Sequence, residues 1–451
     1  MLFLKTIAQK TGVDKAIAYS SGARIVQSGA GVFLVFLIAS FLTAEEQGYY
    51  FTFNSVLSIQ VFFELGFTTI ITQFVAHEVS HLKELNDHTY EGEQYYKSRL
   101  SSLLHFSIKW YGIASFLFLF IVVFFGLMFF EGSDEAVSWR IPWLLVSIAT
   151  AVKMFQSPIT AILMGLDKVT EMNKIVFYQQ LITPIVLCVG LVCKMKLYVL
   201  GLSSIATILV WFYYICKPAT MSLLINVYKE PILERVRYVS EIFPYQWRIA
   251  LSSLSGYFIF YFLTPILFKY QGAIVAGQVG LTISIISTVQ AMSMSWLNTK
   301  TPLYSRLIAL KQYDELDRVF AKTMKQMLSI CSCLMILAAL VLTFIDYIDL
   351  TIGNTEIANR FLIGVPLVFL MIAYFSDQFT FSWASYLRCH KKEPFLWLSI
   401  VSGLLCLAAV FISAKFASIS VVVFCYMLAR LVAVPWGYVV YRRCKTKWHN
   451  L

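Results

Sequence analysis

The stretch "RIVQSGAGVFLVFLIASFLTAEEQGYY", Arg24–Tyr50, strings together a cation, a long apolar run, an acidic turn and a Gln-Gly pair. An apolar run of some 20 residues spans the roughly 30 Å hydrocarbon layer of a bilayer as a helix. A shift of 224 residues reaches "RIALSSLSGYFIFYFLTPILFKYQG", Arg248–Gly272, which begins with the same Arg-Ile and ends with the same Gln-Gly. Ser28 falls on Ser252, Pro142 on Pro366, Phe155 on Phe379 and Lys168 on Lys392 in that register. One arginine, one proline and a Gln-Gly pair in each half, holding a single register, point to an internal repeat.

The rest of the chain fits a membrane. Of 451 residues, 59% are hydrophobic and only 14% charged, against roughly a quarter charged in soluble domains. The mean hydropathy is +0.72. Apolar runs near 20–42, 49–76, 104–130, 140–166, 175–193, 197–216, 244–268, 272–299, 325–345, 361–387, 394–413 and 417–440 predict about twelve transmembrane helices. The fold class expected is therefore an all-α integral membrane protein. Two six-helix lobes, 1–220 and 221–451, would form a parallel repeat around a central cavity, as in secondary transporters.

Charge sorts the loops. "TAEEQG" (43–48), "EGSDEAVS" (131–138) and "IDYIDLTIGNTE" (345–356) are acidic, whereas the alternate loops and the tail carry most of the lysines and arginines, with Lys194, Lys196, Lys269 and Lys415 as minor exceptions. The basic set and both termini belong in the cytoplasm by the positive-inside rule. The net charge of +11 is spread over these loops, so it implies no nucleic-acid partner. No cleavable signal peptide is read at the start, because the first apolar run is too long. The nine cysteines form no C-x-x-C spacing and read as small buried hydrophobes.

Ionisable groups inside apolar helices cost roughly 2.5–3.5 kcal/mol each and usually face a wet cavity. Arg24 and Arg248 each head a stripe of small and polar residues, Ser28 and Gly31 in one half, Ser252 and Ser255 in the other. Two guanidinium forks suit a diphosphate. Lys153 and Asp377 are equivalent under the repeat but opposite in charge. Either they pair as a gate or inert ion pair, or Lys153 meets an anion while Asp377 handles a proton. Glu64, a lone acid in apolar surroundings, suits ion coupling, and Arg430 is assigned to anchoring the last helix. No metal or other cofactor is expected. His77-Glu78-Val79-Ser80-His81 spells H-E-x-x-H, the zinc-protease pattern. It falls about 42 Å along its helix, beyond membrane depth, and reads as surface residues of a helix end.

"LTAEEQGYYFTFNSVLSIQVFFELGF", Leu42–Phe67, with "QFVAHE", Gln73–Glu78, resembles bacterial O-antigen (Wzx-type) polysaccharide flippases. They form a branch of the multidrug/oligosaccharidyl-lipid/polysaccharide exporter superfamily. Ala44 stands where that family often has proline. The resemblance implies a multi-pass protein of the bacterial inner membrane, not an enzyme. Such a protein would move undecaprenyl-diphosphate-linked oligosaccharide to the periplasmic leaflet, coupled to an ion gradient. Membrane lipid, a polysaccharide polymerase and a chain-length regulator are the implied partners. Arg24 is the residue most like the family's cavity arginines. The alternatives are a drug/cation antiporter of the same superfamily and a membrane polysaccharide polymerase or glycosyltransferase.

Overall fold

Helix α1 (Lys15–Phe41) stops just short of Thr43, and the acidic turn explains why a new helix begins there. The Thr43 hydroxyl accepts from the Glu46 amide at 3.2 Å while the Glu46 carboxylate accepts from the Thr43 amide at 3.1 Å. This reciprocal capping box satisfies two orphan donors at the start of α2 (Ala44–Leu57). The computed structural model describes residues 15–85, 87–132, 137–352, 355–390 and 392–449. Lys5, Lys10, Asp134, Glu135 and Lys391 lie outside them, as does the Ser28 side chain.

A 3-10 turn and α3 (Val61–Glu64) lead to Leu65 and Gly66, both left-handed at φ 49° and 66°, and then to α4 (Phe67–Val79). Two consecutive left-handed residues bend the span by 42°. Any side chain at Gly66 would also collide with Ile249, whose Cγ2 stands 2.3 Å from the position of a Cβ. A small hairpin, β1 (Leu82–Glu84) antiparallel to β2 (Tyr90–Gly92), precedes α5 (Gln94–Phe130). Then come α6 (Arg140–Gly165), α7 (Val169–Val192), α8 (Tyr198–Ile215) and the short α9 (Pro218–Lys229).

A π turn at Tyr238–Ile242 opens the second series: α10 (Phe243–Phe260), α11 (Leu263–Gln271), α12 (Ala273–Ala309) and α13 (Tyr313–Tyr347). A two-residue ladder, β3 (Thr351–Ile352) with β4 (Thr355–Glu356), precedes α14 (Val365–Arg388), α15 (Leu396–Phe416), α16 (Ile419–Leu431) and α17 (Ala433–His449). Ten helices among the described residues are long and apolar enough to cross a membrane, twelve when each bent pair counts as one span. The expected all-α membrane architecture is thus observed. Phe116, Phe120, Phe124, Ile336, Leu340 and Phe344 are all exposed on α5 and α13. Such apolar faces need lipid to cover them.

The chain forms two compact units, one of residues up to Ala30 with Ile59–Gly132 and Ser138–Ser253, the other of Gly31–Ser58 with Leu254 onward. The second unit is built around α12. There Gly48 approaches so closely that a Cβ would stand 2.0 Å from the Ala273 carbonyl oxygen, and Gln47 Nε2 donates to the Arg360 carbonyl at 2.9 Å. The Gln-Gly pair of the opening stretch is therefore a packing device. Its repeat partner Gln271 likewise donates to a backbone carbonyl, that of Ala417, at 3.0 Å.

In the first unit the segment after α9 is strapped along α5. Ser98 Oγ accepts from the Leu233 and Glu234 amides, both at 2.7 Å, and Ser102 Oγ from the Val236 amide at 3.0 Å. Arg99 donates to Glu78 at 2.9 Å and to Glu241 at 2.6 Å. The Arg99 hydrogen bond, joined by the Arg237 amide, holds the Glu241 carboxyl below its ordinary range despite partial burial. At the hairpin, burial pushes the Glu84 carboxyl up, but Lys168 at 2.8 Å and His88 at 3.3 Å outweigh it, and the net shift is downward.

Candidate functional site

Helix α6 presents Lys153, Gln156, Ser157, Thr160, Ala161 and Met164 to one cavity, a spacing that lies along a single helical face. Thr68, Thr69 and Thr72 of α4 meet that face, with Gln179, Gln180 and Thr183 of α7 and Thr207 and Trp211 of α8. The cavity measures about 570 Å³ and lies wholly within the first unit. Lipid cannot satisfy hydroxyls and amides, so four helices turning their polar stripes inward create a wet pocket among apolar exteriors.

Internal hydrogen bonds hold these side chains. Trp211 Nε1 donates to Thr160 Oγ1 at 2.9 Å, and Gln179 Nε2 donates to the Thr207 carbonyl at 3.0 Å. Thr72 Oγ1 donates to the Ala161 carbonyl at 3.0 Å, tying α4 to α6. Pro158 in α6 and Pro184 in α7 have no N–H to give, which frees the Met154 and Gln180 carbonyls from the usual helical bond. Lys153 Nζ donates to Ser204 Oγ at 3.1 Å. Among the described residues no carboxylate lines the cavity, and Lys153 is the one ionisable side chain that does. A cation in an uncharged polar pocket suits an anion or a polyhydroxyl group and repels another cation.

Asp377 sits in a different setting. It is buried in α14 of the second unit and paired with Arg430 of α16, Nε to Oδ1 at 3.3 Å with a second contact from Nη2 to Oδ2. The guanidinium is sandwiched among rings, 4.2 Å from the centre of Tyr374, 5.0 Å from Tyr426 and 5.1 Å from Phe260. Arg430 also donates to the Tyr426 hydroxyl, which itself donates to the Ile259 carbonyl at 2.7 Å. Of the two residues offered as a gate pair or as separate sites, Lys153 meets Ser204, and Asp377 likewise has a partner within its own unit. Arg430, read from the sequence as an anchor, is that partner.

Of the other expected site residues, none lines the cavity. Arg24 is exposed on α1, and Arg248 is exposed at the start of α10 with its guanidinium 5.3 Å from the Trp247 ring. Glu64 is half-buried immediately before the Leu65-Gly66 bend. Of the H-E-x-x-H residues, Glu78 is buried against Arg99, while the exposed His77 meets the His81 ring edge to face at 5.6 Å and His81 stacks on Tyr96 with ring centres 4.2 Å apart. Among the described residues no three His, Cys, Asp or Glu side chains are grouped to hold a metal ion. Sequence reasoning found Lys153 but missed the threonine and glutamine stripes around it. Their signal was polar residues at i, i+3, i+4 and i+7 within an apolar helix.

No family model and no curated protein matches the chain. Solved structures do. An inward-facing multidrug resistance MATE family transporter of the MOP superfamily superposes with a TM-score of 0.72 at 14% identity, covering 94% of this chain and 98% of that one. An outward-facing MATE family transporter of the same superfamily gives 0.54 at 12%, covering 97% and 96%. A MOP superfamily transporter from Pyrococcus furiosus gives 0.55 at 12%, covering 96% of each chain, and is described as having a binding pocket of reverse polarity that suggests a different function. The chain thus has the fold of the MATE transporters of the MOP superfamily.

Proposed function

We propose that this chain is an alternating-access secondary transporter that moves a lipid-linked, diphosphate-bearing oligosaccharide from the cytoplasmic to the periplasmic leaflet of a bacterial inner membrane. The observation that carries this reading is the acid-free polar cavity around Lys153. Its hydroxyls and amides match sugar hydroxyls, and its ammonium matches a phosphate oxygen. Its volume, about 570 Å³, lies within the roughly 300–1,000 Å³ of small-ligand sites, enough for part of an oligosaccharide while the polyprenyl chain stays in lipid.

In this reading the two compact units, rather than the halves 1–220 and 221–451 themselves, are the moving bodies, and the exposed Arg24 and Arg248 attract the diphosphate towards the passage. Glu64, beside the left-handed bend of the second span, carries ion coupling. Asp377 takes part only by releasing Arg430. A polysaccharide polymerase and a chain-length regulator receive the product. The test is transfer of fluorescent lipid-linked oligosaccharide across proteoliposomes. Lys153→Gln is expected to slow transfer at least tenfold, the loss of one charge-assisted contact, and transfer at the wild-type rate overturns the reading.

A drug/cation antiporter is the second reading, favoured by the likeness to structures described as multidrug resistance MATE transporters. Lys153 decides between them, because an ammonium in the pocket opposes a cationic drug. Efflux of a lipophilic cation that is unaffected or weakened by Lys153→Gln supports the antiporter.

A further inference from the structure

The second unit has a cavity of its own, about 540 Å³, between the ends of α12 and α14 and the turn beyond α14. Helix α12 has 37 residues, roughly 55 Å at 1.5 Å per residue against about 30 Å of hydrocarbon. Its last three turns, which carry Lys300 and Arg306, therefore stand at the level of the headgroups. There Asn298, Thr301 and Ser305 line the cavity from one helical face, joined by Ser385 and Arg388 of α14 and by His390. No carboxylate is among the described residues that line it.

Two of these groups have unused capacity. Arg388 is exposed and engaged by Glu393 along one edge only, Nε to Oε2 at 2.6 Å and Nη2 to Oε1 at 3.2 Å, so the Nη1 edge is not part of that pair. His390 Nδ1 lies 3.2 Å from the Tyr386 carbonyl. A carbonyl only accepts, so Nδ1 holds the proton and Nε2 presents its lone pair. Nε2 is buried without a hydrogen-bond partner. Burial pushes the His390 imidazole below its ordinary pKa, with His449 and Lys392 acting the same way and the Tyr386 carbonyl and Asp317 opposing.

We propose that this cavity is a binding site for a phosphate flanked by hydroxyls, with Arg388 taking the phosphate oxygens and His390 and the α12 hydroxyls taking the ligand's hydroxyl groups. Glu393 competes for the same guanidinium and sets the affinity. The ligand is either the headgroup of an anionic phospholipid or a soluble phosphate ester, chemistry the two share. The proposal stands apart from the Lys153 reading, since the two cavities have no residue in common.

The probe is glycerol 3-phosphate, titrated calorimetrically into detergent-solubilised protein carrying Lys153→Gln, so that the first cavity contributes little. Arg388→Gln is expected to weaken binding about tenfold. Glu393→Gln is expected to strengthen it, a gain that damage to folding cannot imitate. Binding that is undetectable, or unchanged in both variants, overturns the proposal. In nanodiscs of phosphatidylglycerol, loss of binding that persists in phosphatidylcholine identifies a lipid headgroup as the natural occupant. Persistence in both identifies a soluble ester.

Discussion

Lys153 and Asp377 occupy equivalent places in the two halves of the chain, yet one opens onto a polar cavity and the other is sealed. Lys153 meets a serine hydroxyl and a lining of threonines and glutamines. Asp377 meets a guanidinium packed among Tyr374, Tyr426 and Phe260. The difference teaches where charge is spent. In the first unit a charge is left with only a neutral partner beside a cavity that can admit a ligand. In the second, a charge of opposite sign is neutralised inside the fold, where it specifies packing.

The sharpest way to break that contrast is to unpair the sealed charge. Arg430→Leu leaves Asp377 buried and uncompensated, which costs about 3–5 kcal/mol. The expected result is a large drop in the thermal unfolding midpoint of the detergent-solubilised protein, mostly restored by adding Asp377→Leu. A single variant as stable as wild type would show that the pair is not a structural lock.

Next in size is the open charge. Lys153→Gln should leave the unfolding midpoint nearly unchanged while transport falls at least tenfold, a loss of about 1.5–3 kcal/mol of charge-assisted binding. Lys153→Asp should go further and favour cationic substrates in competition assays. A stability loss matching that of Arg430→Leu would erase the distinction between the two sites.

Thr160→Val tests the cavity wall. It removes the acceptor of the Trp211 indole and leaves a buried N–H unsatisfied, at about 1–3 kcal/mol. Unfolding midpoints check the cost. The expected loss is intermediate between those of Arg430→Leu and Lys153→Gln.

The smallest effect is expected at the strap on α5. Because the Glu241 carboxyl lies below its usual value when folded, its contribution is complete above the ordinary glutamate pKa of about 4.3. It is lost as pH falls through the folded value. As a partly exposed pair with Arg99 it is worth under about 1 kcal/mol. Stability of wild type and Glu241→Gln, measured from pH 7 to 3, should converge at the acid end.

Span number was legible in the sequence because it is local, although the second span was begun at 49 and α2 starts at Ala44. Hydrophobic runs report length, and Thr43-x-x-Glu46 is a capping signature in text. The bends were not. Leu65 carries no left-handed preference, and Gly66 gains its meaning only from Ile249, far along the chain. The Arg430–Asp377 pair escaped for a similar reason: a mid-helix charge announces that it needs a partner but not which one. Gln47-Gly48 was read as a repeat marker, while its packing role depended on Ala273 and Arg360. The polar stripes around Lys153 were present at helical spacing, though threonine and glutamine stand out less than charges do.

The most direct measurement is a cryo-electron microscopy structure of the chain in nanodiscs with bound lipid-linked oligosaccharide. The account predicts sugar density in the cavity between α4, α6, α7 and α8, with a ligand oxygen within hydrogen-bond distance of Lys153 Nζ. Ligand density elsewhere with that cavity empty, or a cationic drug seated against Lys153, would contradict it.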